Sequence, residues 1–401
     1  MAKKVTQLRV VSKKKQTPKI PKKAFLKAYQ DMLTARLSDE KIIVLYKQNK
    51  CHFQIGVAGH EAVQAACAQV FDPSKDWSFP YYRDMAYCVG LGMTVRELML
   101  NAMNKEDDPN SHGRQMPMHY GHKGLRIVSQ SSPTGTQLLQ AVGCALGAKL
   151  EGSKEVVYVS IGEGACAQGD FHEALNWASR EQLPVIFVVE NNGFAISVPV
   201  EEQHAGEVFD ISAGYENLVR YSVDGTSFPD CYEVVREAYK RAQKGDGPSL
   251  IEAHVPRLQS HSISDNHLKY RSEKDIEAER KRDPIPILRR YLIRNKIATS
   301  KQLKELEAKI KEEIDQAAEW ADSQPDPEDI YTAIFADSYP TQPEDPPVPV
   351  DGEELFMVDA INQALCEEME RDDKMVVFGQ DVARGKGGVF GATTGLTDKF
   401  G

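Results

Sequence analysis

The sequence predicts an α/β fold with a mainly parallel sheet and helices on both faces. Two short apolar runs, residues 156–161 and 185–189, flank a helix that is predicted over residues 170–181. The runs are continuous rather than alternating, which is typical of strands that are buried on both faces of a sheet. Strands that are joined through a helix run parallel. The segment is therefore a strand, helix, strand unit of an α/β protein.

The elements before this unit are predicted to be helices. An entry helix covers residues 21–49, because apolar residues at three- and four-residue spacings form one stripe there, namely Phe25, Tyr29, Met32, Leu33 and Leu37. Shorter helices are predicted over residues 61–70 and 94–103 and from Leu138 onwards. Residues 107–124 contain Gly, His and Pro but few core residues. They are expected to form a long loop of the kind that carries function.

After the unit, the pattern predicts a helix over residues 229–244, a strand over 249–254 and an amphipathic helix over 300–321. Together with residues from Ala24 onwards, these elements form one predicted domain, residues 24–321. The composition then changes, because residues 322–353 are acidic and contain seven prolines. Such a composition is typical of an extended linker.

A second, incomplete domain is predicted at residues 354–401. The pattern indicates a helix over residues 354–371 and a strand over 375–378, followed by a Gly-rich loop that reaches Gly401. A segment of about 50 residues cannot bury enough surface for an α/β domain. The rest of this domain is expected to lie downstream or on another chain.

Composition and charge exclude several classes of function. The chain has 401 residues, of which 41% are hydrophobic and 27% charged, as in globular proteins. No apolar run of about 18 residues is present, which excludes a membrane span. Residues 1–23 contain nine Lys or Arg and no acid, so the formal charge of −10 less this +9 leaves −19 for the rest. Such an acidic body argues against nucleic acid as a partner. The basic segment is expected to be a disordered leader or, alternatively, to dock on an acidic partner.

The cysteines point to a reducing compartment. There are seven of them, scattered and without a CxxC pair, at positions 51, 67, 88, 144, 166, 231 and 366. Their number and spacing suggest neither a disulfide framework nor a zinc site. A cytoplasmic location is therefore expected.

Two polar motifs lie where consecutive strands of the unit end. Gly162-Glu163-Gly164 follows the first strand, and Asn191-Asn192-Gly193 follows the second. Carboxyl ends of parallel strands meet at one edge of the sheet, where α/β proteins bind ligands. Glu163 and Asn192 supply the oxygen ligands that Mg²⁺ prefers, and glycines let a diphosphate approach the backbone at the start of the following helix. The alternative is an ordinary Gly-rich turn.

Three further polar segments lie in predicted loops. Tyr82-Arg83 and Ser260-His261-Ser262 place cationic and hydrogen-bonding groups where an anion can reach them. A polar turn, residues 131–137, precedes an Ala-rich helix. Each segment also has a plainer interpretation. Arg83 would pair with a surface acid, the turn would only cap the helix, and His261 would be a solvated loop residue.

These segments belong to a set of motifs that occur together and in order. The set comprises YRD, RQMPMHYG, SSPTGTQ, GEG, ENNGFAIS, VDG and HSISDNHLKYRS. It resembles the alpha subunit of the first, decarboxylating component of 2-oxo acid dehydrogenase complexes over residues 24–321. Residues 356–401 are similar to the start of that component's beta subunit, so the chain resembles an alpha–beta fusion. The resemblance implies a thiamine diphosphate-binding fold followed by a truncated second α/β domain.

The resemblance also implies site residues. Magnesium would be held by Glu163, Asn192 and the carbonyl of Phe194. The cofactor would be held, mainly at its diphosphate, by Tyr82, Arg83, Gly162, Glu163, Gly164, Ala165, Asn192 and His261, and its aminopyrimidine would be approached by Ser132 and Thr134. A potassium site would comprise Ser131, Pro133, Thr136 and Gln137. His119 and the stretch around Phe53 would face the substrate, and the catalytic residues would be His261 and His119.

Two positions depart from the branched-chain members of that family. Glu190 stands where those members have Arg, so one diphosphate contact is expected to be absent, although pyruvate members also have Glu there. Tyr81 stands where the branched-chain members have Gln. Ser262 and Ser272 lie where family members can be phosphorylated, and here they are expected to be ordinary loop hydroxyls.

The activity implied is oxidative decarboxylation of a 2-oxo acid, with transfer of the acyl group to lipoamide on the second component of the complex. A branched-chain acid such as 3-methyl-2-oxobutanoate is favoured, with pyruvate or acetoin as the alternative. Implied partners are a lipoyl-bearing acyltransferase and a beta-subunit-like region, in a dimer or an alpha2beta2-like assembly. The carboxylate that helps to activate the cofactor belongs to the beta subunit in this family, so the present chain alone is expected to be inactive.

Two rival interpretations remain open. Another thiamine enzyme, such as a transketolase, would share GEG and NN but would lack the HSISD loop. A non-catalytic scaffold would use Glu163 and Asn192 for stability alone, and metal-dependent binding of thiamine diphosphate would exclude it.

Overall fold

The computed structural model describes residues 9–10, 20–329, 331, 354–383 and 387–401. Two units are distinguished, Met1–Ile330 and Tyr331–Gly401. The first unit contains the sheet and the candidate site. It carries eight strands in the described residues: β1 (Arg9–Val10), β2 (Trp77–Phe79), β3 (Val157–Gly162), β4 (Val185–Asn191), β5 (Phe194–Ala195), β6 (Val198–Pro199), β7 (Val219–Asp224) and β8 (Ser249–His254).

The helices surround these strands. Those of the first unit are α1 (Lys22–Lys47), α2 (Glu61–Ala68), α3 (Met85–Leu91), α4 (Val95–Ala102), α5 (Gln137–Leu150), α6 (Gly169–Glu181), α7 (Val208–Ile211), α8 (Phe228–Gln243), α9 (Glu273–Arg280), α10 (Pro284–Arg294) and α11 (Ser300–Asp322). The second unit carries α12 (Met357–Arg371) and α13 (Leu396–Phe400). No described helix is long and apolar enough to cross a membrane.

The six-stranded sheet has the order β1-β7-β8-β4-β3-β2, and every neighbouring pair is parallel. The predicted α/β class is therefore confirmed. Strands β5 and β6 form a separate antiparallel pair just after β4. The register places Gly162 opposite Glu190 at the carboxyl ends of β3 and β4.

The sheet separates two hydrophobic cores. Successive side chains of a strand point to opposite faces, so Val157 and Val159 pack with α5 and α6 while Tyr158 packs with the cluster that contains α1, α2 and α8. Burial on both faces explains why the central strands are continuous apolar runs. Helices on both faces are thus confirmed.

Predicted and observed elements agree closely at the centre of the first unit. The strand at Ser249–His254 and the start of α11 at Ser300 are as predicted, and the other predicted helices and strands of this unit differ by at most two residues at their ends. Strands β2 and β7 and helices α3, α9 and α10 were not predicted. Strand β2 is only three residues long, and β7 mixes charged with apolar residues, so neither makes an apolar run.

The two predicted flanking segments lie mostly outside the described residues. In the basic leader, predicted over residues 1–23, Arg9–Val10 form β1 beside β7, and α1 already begins at Lys22. In the linker, predicted over residues 322–353, the described part up to residue 329 belongs to the first unit. There Pro325 O accepts a hydrogen bond from Glu106 N at 3.1 Å.

In the second unit, helix α12 begins at Met357 rather than at residue 354, and the strand predicted over residues 375–378 is wrong. A strand requires a neighbour to accept and donate its backbone hydrogen bonds. No strand of the described residues 354–383 and 387–401 offers one. An apolar run such as Met375–Phe378 is therefore not sufficient by itself to predict a strand.

A buried carboxyl on α1 makes stability depend on pH. Asp39 is fully buried and its Oδ1 accepts a hydrogen bond from Gln54 Nε2 at 2.5 Å. Burial raises the pKa of Asp39 from 3.8 to about 7, while Gln54 and Arg36 oppose this shift. Because this pKa is higher in the folded than in the unfolded state, the Asp39 carboxyl contributes most to the free energy of unfolding below pH 3.8. This contribution is lost as pH rises towards 7. The loss has an upper bound of about 4 kcal/mol.

We therefore expect Asp39→Asn to gain thermal stability relative to the wild type as pH rises from 5 to 8, because the amide cannot ionise. Melting temperatures measured across this pH range check the expectation. The exposed residue Asp107 provides the control variant, Asp107→Asn. A difference between Asp39→Asn and wild type that is the same at pH 5 and pH 8 would contradict the prediction.

Candidate active site

A cavity of about 300 Å³ opens at the carboxyl ends of β3 and β4. Parallel α/β sheets bind ligands at this edge. The cavity is lined by fourteen of the residues that the sequence singles out: Tyr82, Arg83, Ser131, Ser132, Pro133, Thr134, Gln137, Gly162, Glu163, Gly164, Ala165, Asn192, Phe194 and His261. Segments that are up to 179 positions apart in the chain therefore meet at one site.

The two motifs at the strand ends are in direct contact. Glu163 Oε2 accepts a hydrogen bond from Asn192 N at 3.1 Å. Both side chains are buried, with 1% and 8% of their surface exposed. The expectation that the motifs are neighbours in space is thus confirmed.

Each of these two residues has an oxygen without a partner. Glu163 Oε1 and Asn192 Oδ1 are buried and accept no hydrogen bond from any described residue. Unpartnered buried oxygen atoms are costly, and burial raises the pKa of Glu163. A bound divalent cation would satisfy both oxygens and would favour the ionised carboxylate. The residues present therefore fit a magnesium ion.

The described residues contain no group of three His, Cys, Asp or Glu that could hold a metal. Magnesium is usually held by one or two carboxylates together with water and phosphate oxygens. Phe194, whose carbonyl is the third expected ligand, lines the same cavity.

Glycine is required at Gly164 by close packing. A Cβ atom there would lie 2.6 Å from Ala195 Cβ, in the β5–β6 hairpin. At Gly162 the nearest atom to such a Cβ is Tyr81 Cε2 at 3.8 Å, so this glycine leaves open space at the cavity wall. The expected helix does not follow directly, because a 3₁₀ helix at Glu163–Ala167 precedes α6. The backbone amides nearest the cavity therefore belong to this short turn.

Arg83 and His261 form a pair of donors at the cavity. Arg83 is buried, with its Nη1 donating to Gly56 O at 2.6 Å and its Nη2 donating to His261 O at 3.1 Å. The alternative in which Arg83 pairs with a surface acid is wrong. Arg83 Nη2 also lies 3.1 Å from His261 Nδ1. The ring centre of Tyr82 lies 5.2 Å from Arg83 Cζ.

The histidine of this pair is neutral. Burial, Arg83 and Arg257 together lower the pKa of His261 to about 4. Because an arginine N–H faces Nδ1, that nitrogen is the acceptor and the ring proton is on Nε2. The geometry therefore leaves His261 an N–H donor for an anion in the cavity.

His119 and Thr136 of the polar turn do not line the cavity, although both are expected to be site residues. Ser132 lines the cavity and its Oγ lies 2.6 Å from His119 Nε2, whereas His119 itself does not line the cavity. Thr136 is also outside the lining, and its Oγ1 donates to Pro133 O at 3.0 Å. Thr136 makes no side-chain capping bond to α5, so a simple helix cap does not explain the turn.

Phe53, whose surroundings are expected to face the substrate, and the two serines that are expected to be loop hydroxyls lie away from the cavity lining. Phe53 does not line it, although the neighbouring Gln54 O accepts a hydrogen bond from Ile263 N in the His261 loop at 2.9 Å. Ser262 is buried, with its Oγ 3.1 Å from Ser264 Oγ. Ser272 caps α9, because its Oγ accepts from Asp275 N at 3.2 Å.

Comparison with known proteins gives the same assignment over most of the chain. A family model described as "Dehydrogenase E1 component" matches residues 29–329. The chain belongs to this dehydrogenase E1 family. Thiamine diphosphate is the cofactor generally used in the family, and its alpha subunits work with a beta subunit and an acyltransferase in complexes.

Curated relatives of this E1 chain are alpha subunits. The present chain is 43% identical over 265 residues to the 2-oxoisovalerate dehydrogenase subunit alpha of Bacillus subtilis (strain 168). The aligned region covers 66% of this chain and 80% of the Bacillus subunit. The mitochondrial subunits of Dictyostelium discoideum and Homo sapiens are 34% and 32% identical over 330 and 327 residues, each covering 81% of this chain and 74% and 73% of the relatives. The family match ends at residue 329, so the similarity of residues 356–401 to a beta subunit stays a prediction.

In this E1 chain the two residues that depart from the branched-chain pattern, Glu190 and Tyr81, differ in whether they line the cavity. Glu190 is fully buried and accepts from Gln64 Nε2 at 2.9 Å, and it lies 2.6 Å from His60 Nδ1. It therefore faces the interior and not the cavity lining. Tyr81 does line the cavity, and its OH lies 3.3 Å from His60 Nδ1.

Some residues of the E1 site were missed by sequence reasoning. The cavity is also lined by Gln130, Gly135, Ile161, Ala195 and Ile196. Gly135, Ala195 and Ile196 lie inside the SSPTGTQ and ENNGFAIS motifs, and Gln130 and Ile161 directly precede a motif, so position in the sequence alone could have indicated all five. Arg257 was missed as well, although it is buried and lies four residues before His261. Its signal is an arginine that stands three residues after the end of β8 at His254.

Proposed function

We propose that this chain is the alpha part of a 2-oxo acid dehydrogenase that decarboxylates a branched-chain 2-oxo acid, such as 3-methyl-2-oxobutanoate, and passes the acyl group to lipoamide on the second component. The observation that carries the proposal is the pair of buried, unpartnered oxygens, Glu163 Oε1 and Asn192 Oδ1, at the edge of the cavity. The substrate class rests on relatives that are named 2-oxoisovalerate dehydrogenase subunit alpha.

Thiamine diphosphate with Mg²⁺ is the proposed cofactor. Glu163, Asn192 and Phe194 would hold the ion, and Arg83 and the Nε2–H of His261 would donate to the diphosphate. Thiamine diphosphate held there would supply a carbanion nucleophile and an electron sink for the decarboxylation of a 2-oxo acid. A potassium ion at Ser131, Pro133, Thr136 and Gln137 is part of the same proposal.

The chain's own residues orient the ligand and exclude water. The neutral His261 donates without adding a second charge beside Arg83, whose guanidinium is already held by Gly56 O. Ser132, backed by His119, presents a hydroxyl at the cavity wall. Through that hydrogen bond, His119 would hold or accept a proton at Ser132 Oγ rather than touch the cavity contents itself.

The proposed assembly is an alpha2beta2-like complex with a lipoyl-bearing acyltransferase as the next partner. Residues 354–401 are proposed to be the start of a beta-like region. A reducing compartment such as the cytoplasm is proposed because all seven cysteines, each in a described range, are free thiols.

The experiment is a turnover assay of the chain assembled with its beta subunit. Carbon dioxide release from 3-methyl-2-oxobutanoate and from pyruvate is compared with thiamine diphosphate, Mg²⁺ and an artificial electron acceptor. The proposal predicts preference for the branched acid. Preference for pyruvate would keep the mechanism but change the substrate. Absence of turnover together with absence of Mg²⁺-dependent cofactor binding would reject the enzyme and favour a scaffold.

A further inference from the structure

A carboxylate outside the cavity is tied to the turn that carries Asn192. Glu252 lies on β8, opposite Val189 of β4, and is fully buried. Its Oε1 accepts a hydrogen bond from Asn191 Nδ2 at 2.7 Å, and its Oε2 accepts from Phe209 N at 2.8 Å. Both oxygens are therefore used, and one of the two donors, Asn191, directly precedes the site residue Asn192.

Asn191 in turn shapes the chain around Asn192. Its Oδ1 accepts a hydrogen bond from Gly193 N at 3.0 Å, so the side chain spans Asn192. Gly193 has a φ of +82°, which favours glycine, and its carbonyl accepts from Val200 N at 3.0 Å. The turn at Asn192 is thus held by Asn191 before it and by the β5–β6 hairpin after it.

An asparagine amide can point either way, because its oxygen and nitrogen have nearly the same shape. Only the oxygen can accept from Gly193 N. A carboxylate that accepts from the amide nitrogen determines which end of the Asn191 side chain faces the turn. Glu252 makes this bond in a buried place where no water competes, so the bond is strong and directional.

We propose that Glu252 is a positioning residue for the metal site, acting through Asn191 on the turn that presents the Oδ1 atom of Asn192 and the carbonyl of Phe194. The inference rests on the proposed function, because it assumes Mg²⁺ at Glu163 and Asn192. Mutation of a residue that hydrogen-bonds to metal ligands and orients them typically lowers metal affinity by about 10–100-fold.

The test uses Glu252→Gln, Asn191→Ala and the double variant in the chain assembled with its beta subunit. Calorimetry measures binding of thiamine diphosphate as Mg²⁺ is increased, which needs no turnover. Glutamine offers one acceptor oxygen to the two donors, and when that oxygen accepts from the fixed Phe209 N, its amide nitrogen faces Asn191, whose amide then turns its oxygen away from Gly193 N. Each single variant is therefore expected to raise the half-saturating Mg²⁺ concentration by about 10–100-fold. The double variant is expected to be no worse than the more affected single variant, because both changes break the same chain of contacts.

Asp76→Asn is the matched control. Asp76 is also a buried carboxylate that accepts backbone hydrogen bonds beside the sheet, from Val156 N at 3.0 Å and Asp72 N at 2.9 Å. It lies near the amino end of β3, opposite the cavity edge. A loss of stability of similar size is expected in Asp76→Asn, with an unchanged Mg²⁺ requirement.

Three results would overturn the inference. They are an unchanged Mg²⁺ requirement in Glu252→Gln, a double variant whose effect equals the product of the single effects, or an equal effect in Asp76→Asn. The second result would mean that Glu252 acts through Phe209. If the wild-type assembly itself binds no cofactor with Mg²⁺, the proposed function fails instead, and the inference fails with it. If Glu252→Gln does not fold, Asn191→Ala and its melting temperature decide the question.

Discussion

Glu163→Gln is expected to lower turnover and Mg²⁺-dependent binding of thiamine diphosphate by at least about 100-fold. This effect is larger than the one expected for substitution of a residue that only positions a metal ligand. The amide oxygen of glutamine can still accept the hydrogen bond that Asn192 N donates to Glu163 at 3.1 Å. The variant therefore keeps the shape of the site and removes one negative charge from the proposed ion. Calorimetry of cofactor binding and carbon dioxide release measure the effect.

The same substitution is expected to stabilise the protein without cofactor. Burial raises the pKa of Glu163, so the fold loses stability as pH rises through that value. Glutamine does not ionise, and the melting temperature of the cofactor-free variant at pH 8 should equal or exceed that of the wild type. Such opposite effects on stability and function are common at active sites.

The exposed Glu173 on α6 provides the control for Glu163. Glu173→Gln removes a carboxylate ten residues away and should change neither cofactor binding nor the pH dependence of melting. Normal Mg²⁺-dependent binding in Glu163→Gln would contradict both the metal assignment and the proposed function.

The centre of the fold was predictable because its signals are local. Strands β3 and β4 are buried on both faces and therefore appear as continuous apolar runs. Parallel strands that are neighbours in a sheet end at the same edge, so the residues that follow them must meet there. The sequence positions of Glu163 and Asn192, two and three residues after the ends of the apolar runs at residues 161 and 189, are therefore sufficient to place the two side chains together.

The buried hydrogen bond from Asn191 to Glu252, which holds the turn at Asn192, could not be predicted from such local signals. Glu252 is 61 positions from Asn191, and the bond between them depends on the strand order that places β8 beside β4. A lone glutamate in an apolar strand does not indicate its partner. The side chain of His119 was likewise assigned to the substrate, whereas the structure places it behind Ser132. Local patterns identify which residues lie at an edge, and only packing determines which of them reach the cavity.

Substitutions of Arg83 are expected to separate its charge from its geometry. Arg83→Met removes the charge, and Arg83→Lys keeps it but lacks the planar fork by which Nη1 and Nη2 donate to Gly56 O and His261 O. Each charge-assisted hydrogen bond that is lost is worth about 1.5–3 kcal/mol. Binding of thiamine diphosphate should therefore weaken by about 10–100-fold in both variants, and more in Arg83→Met.

Of the two properties of Arg83, only its charge, and not its hydrogen-bond geometry, should affect the pKa of His261. Burial and the two arginines Arg83 and Arg257 lower it to about 4. In Arg83→Met one of these charges is absent, so the pKa should rise towards 6.5, whereas Arg83→Lys should keep it low. NMR titration of histidine-labelled protein, with His261→Gln to assign the resonance, measures both values. Equal pKa values in wild type and Arg83→Met would mean that burial and Arg257 keep His261 neutral without Arg83, which would then act on the diphosphate only as a donor.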